Sequence, residues 1–273
     1  MTRRGFTLVE LLVTLAVMGI LGTALARITI NQSRYVGEQE ALMEARQTAR
    51  QAMTLLATEM RRVSDRGVIQ ATADTVHLRV PYAFGMLCEV SGGARLASLL
   101  PYDSASWANA GQSLLTWRSG GGYGPGQGVT VTTATDPAPC DTDSIRVIPG
   151  GRLVNLSPPS ASSGANAGDI MYIYERVKYF FGASTSMPGR RALFRQAGGS
   201  TEELLFPFAS TARFAFLTGS RLTLSTTPPA DIDDLRGLEL RLIAESSTTP
   251  SGRTAPMTYD LRPRVRFGNL ALE

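Results

Sequence analysis

The alternation of apolar and polar positions divides the chain into three textures. Residues 6–26 are predominantly apolar and carry a single charge, Glu10. Twenty-one such residues are long enough to cross a bilayer as a helix. Further on, Leu42, Ala45, Ala49, Ala52, Leu56, Met60 and Val63 recur at steps of three and four, while Glu44, Arg46, Gln47, Arg50, Glu59, Arg61 and Arg62 fill the intervening positions. That spacing predicts an amphipathic helix with one apolar stripe. Nothing between the two segments breaks a helix, so one helix is expected from residue 6 to about 64, roughly 85 to 90 Å long at 1.5 Å per residue. Ser64, Asp65 and Gly67 supply its stop. The small alanines of the stripe suit packing against the protein's own sheet better than a coiled-coil partner.

After Gly67 the pattern turns to short alternating runs, at 75–80, 113–117, 128–133, 144–148, 170–177, 178–181, 192–195, 213–217, 235–244 and 258–267. Pro81 is expected to end the first of them. Glycine- and proline-rich stretches, 119–126 and 157–160, read as loops between strands. The expected class is α+β: one long amino-terminal helix, membrane-spanning in its first half, packed on a β-rich antiparallel head. The expected division is 1–5 leader, 6–29 membrane or core helix, 30–66 amphipathic helix and 67–273 head, with a Gly/Ser/Pro-rich insert at about 85–168.

Composition narrows function by exclusion. With 43% hydrophobic and 18% charged residues in 273, the chain has the makeup of a folded protein rather than a disordered one. A formal charge of +4 from 27 basic and 23 acidic residues, scattered along the sequence, does not point to nucleic acid. Cys88 and Cys140 are the two cysteines, too far apart for a CxxC motif. If the head is exported, a disulfide is the natural reading; two separate buried thiols are the alternative.

Glu10 is the position that needs explaining, because a carboxylate inside an apolar helix costs about 2.5 to 3.5 kcal/mol near the centre and less toward the end. A secretory signal needs a shorter apolar core and a small-x-small cleavage site. A plain anchor, held by Arg3 and Arg4 on the cytoplasmic side, leaves Glu10 unaccounted for. The stretch Gly5-Phe6-Thr7-Leu8-Val9-Glu10, after a short basic leader and before Leu11-Leu12-Val13, resembles the processing site of type IV pilins and type II secretion pseudopilins. The resemblance implies that a prepilin peptidase cuts between Gly5 and Phe6 and that Phe6 is then N-methylated. It also implies that the new amine pairs with Glu10 of a neighbouring subunit. The chain departs from many major pilins in having no helix-bending proline near residue 27, which leaves Gly19 and Gly22 as the weak points of the helix.

The second half is similar to W-type minor pilins and to the J pseudopilin. The similarity is carried by Val177-Lys178-Tyr179-Phe180-Phe181, Arg191-Ala192-Leu193-Phe194-Arg195, Ala212-Arg213-Phe214-Ala215-Phe216 and Gly237-Leu238-Glu239-Leu240-Arg241-Leu242. The ending Arg264-Val265-Arg266-Phe267-Gly268-Asn269 matches only in part. The resemblance implies a minor pilin that initiates or caps a type IV pilus at its tip. Its alternatives are a J-like pseudopilin at a type II secretion tip and a filament-displayed adhesin or DNA- or ligand-binding module. The implied partners are other pilins through the amino-terminal helix, prepilin peptidase, an inner-membrane assembly platform and the membrane. The implied location is the inner membrane with the head in the periplasm, and the cell surface after assembly.

Catalytic chemistry finds little support. His77 is the single histidine, which removes His-based triads and most zinc sites, and its alternating strand suits a packed or surface role. Residues 120–128 fit neither a P-loop nor a dinucleotide fingerprint. Asp231-Ile232-Asp233-Asp234 and Asp141-Thr142-Asp143 offer oxygen ligands without an EF-hand frame, so solvated turn carboxylates are the expectation. Trp107, Trp117, Tyr102 and Tyr123 either expose a binding surface or cover a small core. No enzyme activity, cofactor or metal is expected, and the residues mark no clear nucleic-acid or small-molecule ligand.

Overall fold

The computed structural model describes residues 8–63, 67–88, 95–102, 112–119, 122–123, 127–134, 140–141, 145, 149–158, 160 and 164–267. Helix α1 runs unbroken from Leu8–Met60, about 80 Å at the usual rise, and passes through Gly19 and Gly22 without interruption. The stop expected at Ser64 and Asp65 lies outside the described residues, and the helix closes a turn earlier.

The head is antiparallel β-structure: β1 Val68–Ala71, β2 Thr75–Leu87, β3 Leu96–Leu99, β4 Gln112–Ser119, β5 Gly122–Tyr123, β6 Gln127–Thr133, β7 Arg152–Ser157, β8 Ile170–Ala183, β9 Arg191–Ala197, β10 Ser200–Phe208, β11 Arg213–Thr218, β12 Thr223–Ser225, β13 Leu235–Glu245, β14 Thr258–Leu261 and β15 Arg264–Arg266. Two cores divide it. In the first, Ala45, Ala49, Ala52, Leu56, Met60 and Val63 of the helix stripe meet Leu238, Leu240 and Leu242 of β13, Phe214 and Phe216 of β11, and Val177, Tyr179 and Phe181 of β8. Alanines at three successive contact turns let the helix lie close on the sheet. Leu42 is only half-buried, and Ala41 and Thr48 complete the buried face instead.

The second core lies largely in the stretch whose composition marks it as an insert, and it is a closed barrel. Its ring runs β2–β3–β7–β6–β4–β8 and returns to β2. Each of the six strands sends two side chains inward: Ala83 and Leu87, Ala97 and Leu99, Val154 and Leu156, Val129 and Val131, Leu115 and Trp117, Met171 and Ile173. This is the alternation that closure requires. Gly85 occupies the inward position between Ala83 and Leu87, where a Cβ would lie 2.8 Å from Leu99 Cδ2, Met171 Cε and Ser98 O. The barrel is not a separate bead, because β2 and β8 run through both cores.

Several expectations are corrected here. Pro81 does not end β2. It sits in a stretch that β1 pairs only as far as Leu78 and β3 only from Gly85, with a bulge against β8 between Pro81 and Ala83, so no ladder donor is missed. The runs 170–177 and 178–181 are one strand. The run 258–267 is two strands split at Arg262 and Pro263, and the Pro263 carbonyl accepts from Leu240 N at 2.9 Å. Within the glycine-rich loop, Gly122–Tyr123 pairs back on Arg118 and Ser119. Of the run 144–148, only Ile145 is described, and it is not in a strand.

Candidate functional site

The first half of α1 has no counterpart in either core. Every residue from Leu8 to Val36 is exposed, including Leu8 at 77%, Ile20 at 69% and Leu25 at 64%. The apolar residues surround the helix instead of forming a stripe, the pattern of a helix covered on all sides. Covering one such side chain is worth about 1.5 to 3 kcal/mol, so a bilayer or other helices must supply the second surface. By length and composition the segment suffices to cross a membrane. Its threonine hydroxyls suit an apolar medium: Thr14 Oγ1 donates to Glu10 O at 2.6 Å, Thr23 Oγ1 to Ile20 O at 2.9 Å and Thr29 Oγ1 to Leu25 O at 3.0 Å, so these three do not require water.

Glu10 lies in the first turn of the helix, where the helix dipole favours a negative charge. Gly5, Phe6, Arg3 and Arg4 lie outside the described residues.

The second half is fastened to the head by charges that sequence reasoning missed. Arg253 grips Glu38 with two hydrogen bonds, 2.8 and 3.0 Å, which holds the Glu38 carboxyl below its usual range. Ser247 N donates to Glu44 Oε2 at 3.1 Å, and the Arg46 guanidinium stands 5.3 Å from the Tyr259 ring centroid. Deeper in, Arg195 lies between Glu175, at 2.5 Å, and Glu59, at 3.5 Å. Burial disfavours the charged guanidinium, but the Glu59 and Glu175 carboxylates and the Tyr179 hydroxyl outweigh it and raise its pKa. Burial, reinforced by Glu59, pushes the Tyr179 phenol up. These partners are separated by up to 215 residues, and no local pattern marks them.

Cys88 and Cys140 are joined in a disulfide. It sits in a small apolar cluster with Leu96 and Leu153. Trp117 is buried in the barrel and Tyr102 is 81% exposed; Trp107 lies outside the described residues. His77 is half-buried in β2, and burial, then Arg176, Lys178 and Arg79, lower its pKa. Asp231 caps a short 3-10 turn, Ile232–Asp234, accepting from Asp233 N at 2.9 Å; Asp143 lies outside the described residues. Among the described residues no group of three metal-ligating side chains gathers.

An exposed apolar helix with an acidic first turn, led by Gly5-Phe6, agrees with what known proteins reveal. Residues 1–26 carry the prokaryotic N-terminal methylation motif. The match covers the first five residues and most of the uncovered apolar stretch, and it is consistent with a type IV pilin-like protein. Proteins with this motif are structural, are processed by prepilin peptidase and assemble with other pilins. Neither a curated protein nor a solved structure matches the chain.

Proposed function

We propose that this chain is a minor pilin that takes part in type IV pilus assembly, initiating or capping the filament at its tip. The observation that carries the reading is the 53-residue helix whose first half is apolar on all sides and uncovered, while its second half is buried on the head. In this account residues 1–5 are removed, residues 6–29 lie first in the inner membrane and then in the filament core, and residues 30–66 carry the head, 67–273, on the periplasmic side. The protein acts by association and not by turnover.

Glu10 sets register. The methylated amine of Phe6 is a cation at the start of an apolar helix, and a neighbouring subunit's Glu10 is the matching anion. Pairing them in a low-dielectric bundle relieves the cost of both. Replacing Glu10 by alanine removes the anion without touching the Gly5–Phe6 bond. Pilin processing is therefore expected to continue while incorporation into filaments falls. Normal incorporation of Glu10→Ala would overturn the register mechanism.

A J-like pseudopilin at a type II secretion tip is the second reading. The size of the segment between β2 and β8, which folds as the larger part of a six-stranded barrel, favours the pilus, since J pseudopilin heads are usually shorter. Loss of pili on deletion, with secretion intact, is the expected result; the reverse would select the pseudopilus.

A further inference from the structure

Between the apolar run and the part of α1 that the head buries lies a short stretch that belongs to neither. Residues 27–36 are exposed. They include Arg27 and Arg34, and no carboxylate occurs from 28 to 37. Seven residues turn a helix through about 700°, close to two full turns, so Arg27 and Arg34 share a face. Glu38, four residues beyond Arg34, lies on that face as well, but Arg253 already holds it with two hydrogen bonds. The two helix arginines keep their charge.

The same face carries a strap, the loop 246–257 between β13 and β14. Its base is shut where Ser246 N donates to Met257 O at 2.8 Å and Met257 N to Ser246 Oγ at 3.0 Å. From there it descends α1 toward the apolar half: Ser247 meets Glu44, Arg253 meets Glu38, and a Cβ on Gly252 would stand 3.7 Å from Arg34 Nε. A turn forms its tip, with Arg253 N donating to Pro250 O at 3.0 Å and Gly252 at a φ of 84 to 89° in the left-handed region, 89°. The strap contains no carboxylate, and Glu245 at its base is paired with Arg190 at 2.5 Å.

The heights along the helix match a bilayer surface. Arg27 closes the apolar run and so stands at the hydrocarbon boundary, with Arg34 about 10 Å further along the axis. One headgroup layer is about 5 to 8 Å thick. The two guanidiniums therefore bracket the headgroups, and the strap tip comes down on them beside Arg34. Tyr35, 62% exposed, sits at the level where aromatic side chains gather.

We propose that Arg27, Arg34 and the strap form a foot that seats the head on anionic phospholipid, the two guanidiniums pairing with headgroup phosphates. The foot fixes which side of the head faces the bilayer while the subunit is held there, and its lipids are released when the subunit leaves. This rests on the reading of residues 6–29 as membrane-spanning and not on the tip role.

The test places the full chain in nanodiscs of phosphatidylglycerol or of phosphatidylcholine and follows amide exchange of residues 248–255. An arginine near an anionic surface contributes about fivefold, so two should make exchange about 30-fold slower in phosphatidylglycerol. High salt should shrink the difference. Arg27→Gln/Arg34→Gln leaves the Glu38–Arg253 clasp in place; it should exchange alike in the two lipids, with ellipticity at 222 nm unchanged. Arg27→Lys/Arg34→Lys should keep the parent's lipid preference. Equal exchange of the parent in both lipids, or a preference that survives in the glutamine variant, overturns the proposal. So does equal slowing by inorganic phosphate added to phosphatidylcholine discs, which would make the ligand a free anion. A chain that alkaline carbonate strips from membranes defeats the membrane-spanning reading itself, and the foot with it; a chain that stays embedded yet shows no lipid preference defeats the foot alone.

Discussion

Replacing both Cys88 and Cys140 by alanine tests whether the barrel is a core in its own right. The disulfide spans a sequence separation of 52 residues. In the chain-entropy treatment, closing a loop of that length stabilises by about 4 kcal/mol at 25 °C. That is a large fraction of the roughly 5 to 15 kcal/mol that holds a typical domain. The bond lies in the small cluster beside β3 and β7, with Leu96 and Leu153 as neighbours, far from the helix stripe, so the loss falls on the barrel first. The chain reports on its two cores separately. Both tryptophans, Trp107 and Trp117, lie in the 88–168 segment, and Trp117 is buried in the barrel, whereas ellipticity at 222 nm follows α1. In urea titrations in detergent, with a slope of about 1 to 3 kcal/mol per molar, the fluorescence midpoint of the variant should fall by about 1 to 4 M. The helical signal should fall by much less. Equal shifts of both signals would show that the two cores unfold as one, and an unmoved fluorescence midpoint would show that the bond does not constrain the barrel. Either result refutes the reasoning.

Leu56→Ala empties a fully buried position between helix and sheet and should cost about 3 kcal/mol, read as a drop in the thermal midpoint at 222 nm. Gly85→Val places atoms where Leu99, Met171 and the Ser98 carbonyl already stand; it should lower the tryptophan-reported midpoint while Gly128→Ala, in open space, should not. His77 is the single histidine, and its folded pKa lies below the ordinary 6.5. Its neutral form is therefore the one the fold prefers, so stability is full above that value and declines as pH falls through the folded pKa. His77→Gln should flatten the stability profile in that window, and an unchanged slope would contradict the assignment.

The helix was legible because its two textures are local: an unbroken apolar run, then a stripe at steps of three and four. The strands around Tyr179, Phe214 and Leu240 were legible for the same reason, since they alternate over one buried face. Barrel closure was not. Leu96–Leu99 is buried at all four positions and shows no period of two, and Arg152–Ser157 buries Leu153 and Val154 side by side, which breaks the alternation that marks a strand. Pro81 reads as a strand end in isolation, and only the staggered pairing of β1 and β3 makes it tolerable. The Glu38–Arg253 clasp depends on the fold setting the loop between β13 and β14 against the helix, a pairing 215 residues apart that composition conceals. The methylation motif was the most legible feature, because the chemistry of processing and insertion is written in consecutive residues.

The central claim is that the apolar half of α1 is a processed assembly surface. Intact-mass and amino-terminal analysis of the membrane-expressed chain, with prepilin peptidase present and absent, addresses it most directly. The account predicts a peptidase-dependent start at Phe6 with one added methyl group, and the full-length mass without the enzyme. A start at Met1 under both conditions would contradict it and leave the helix a simple membrane anchor.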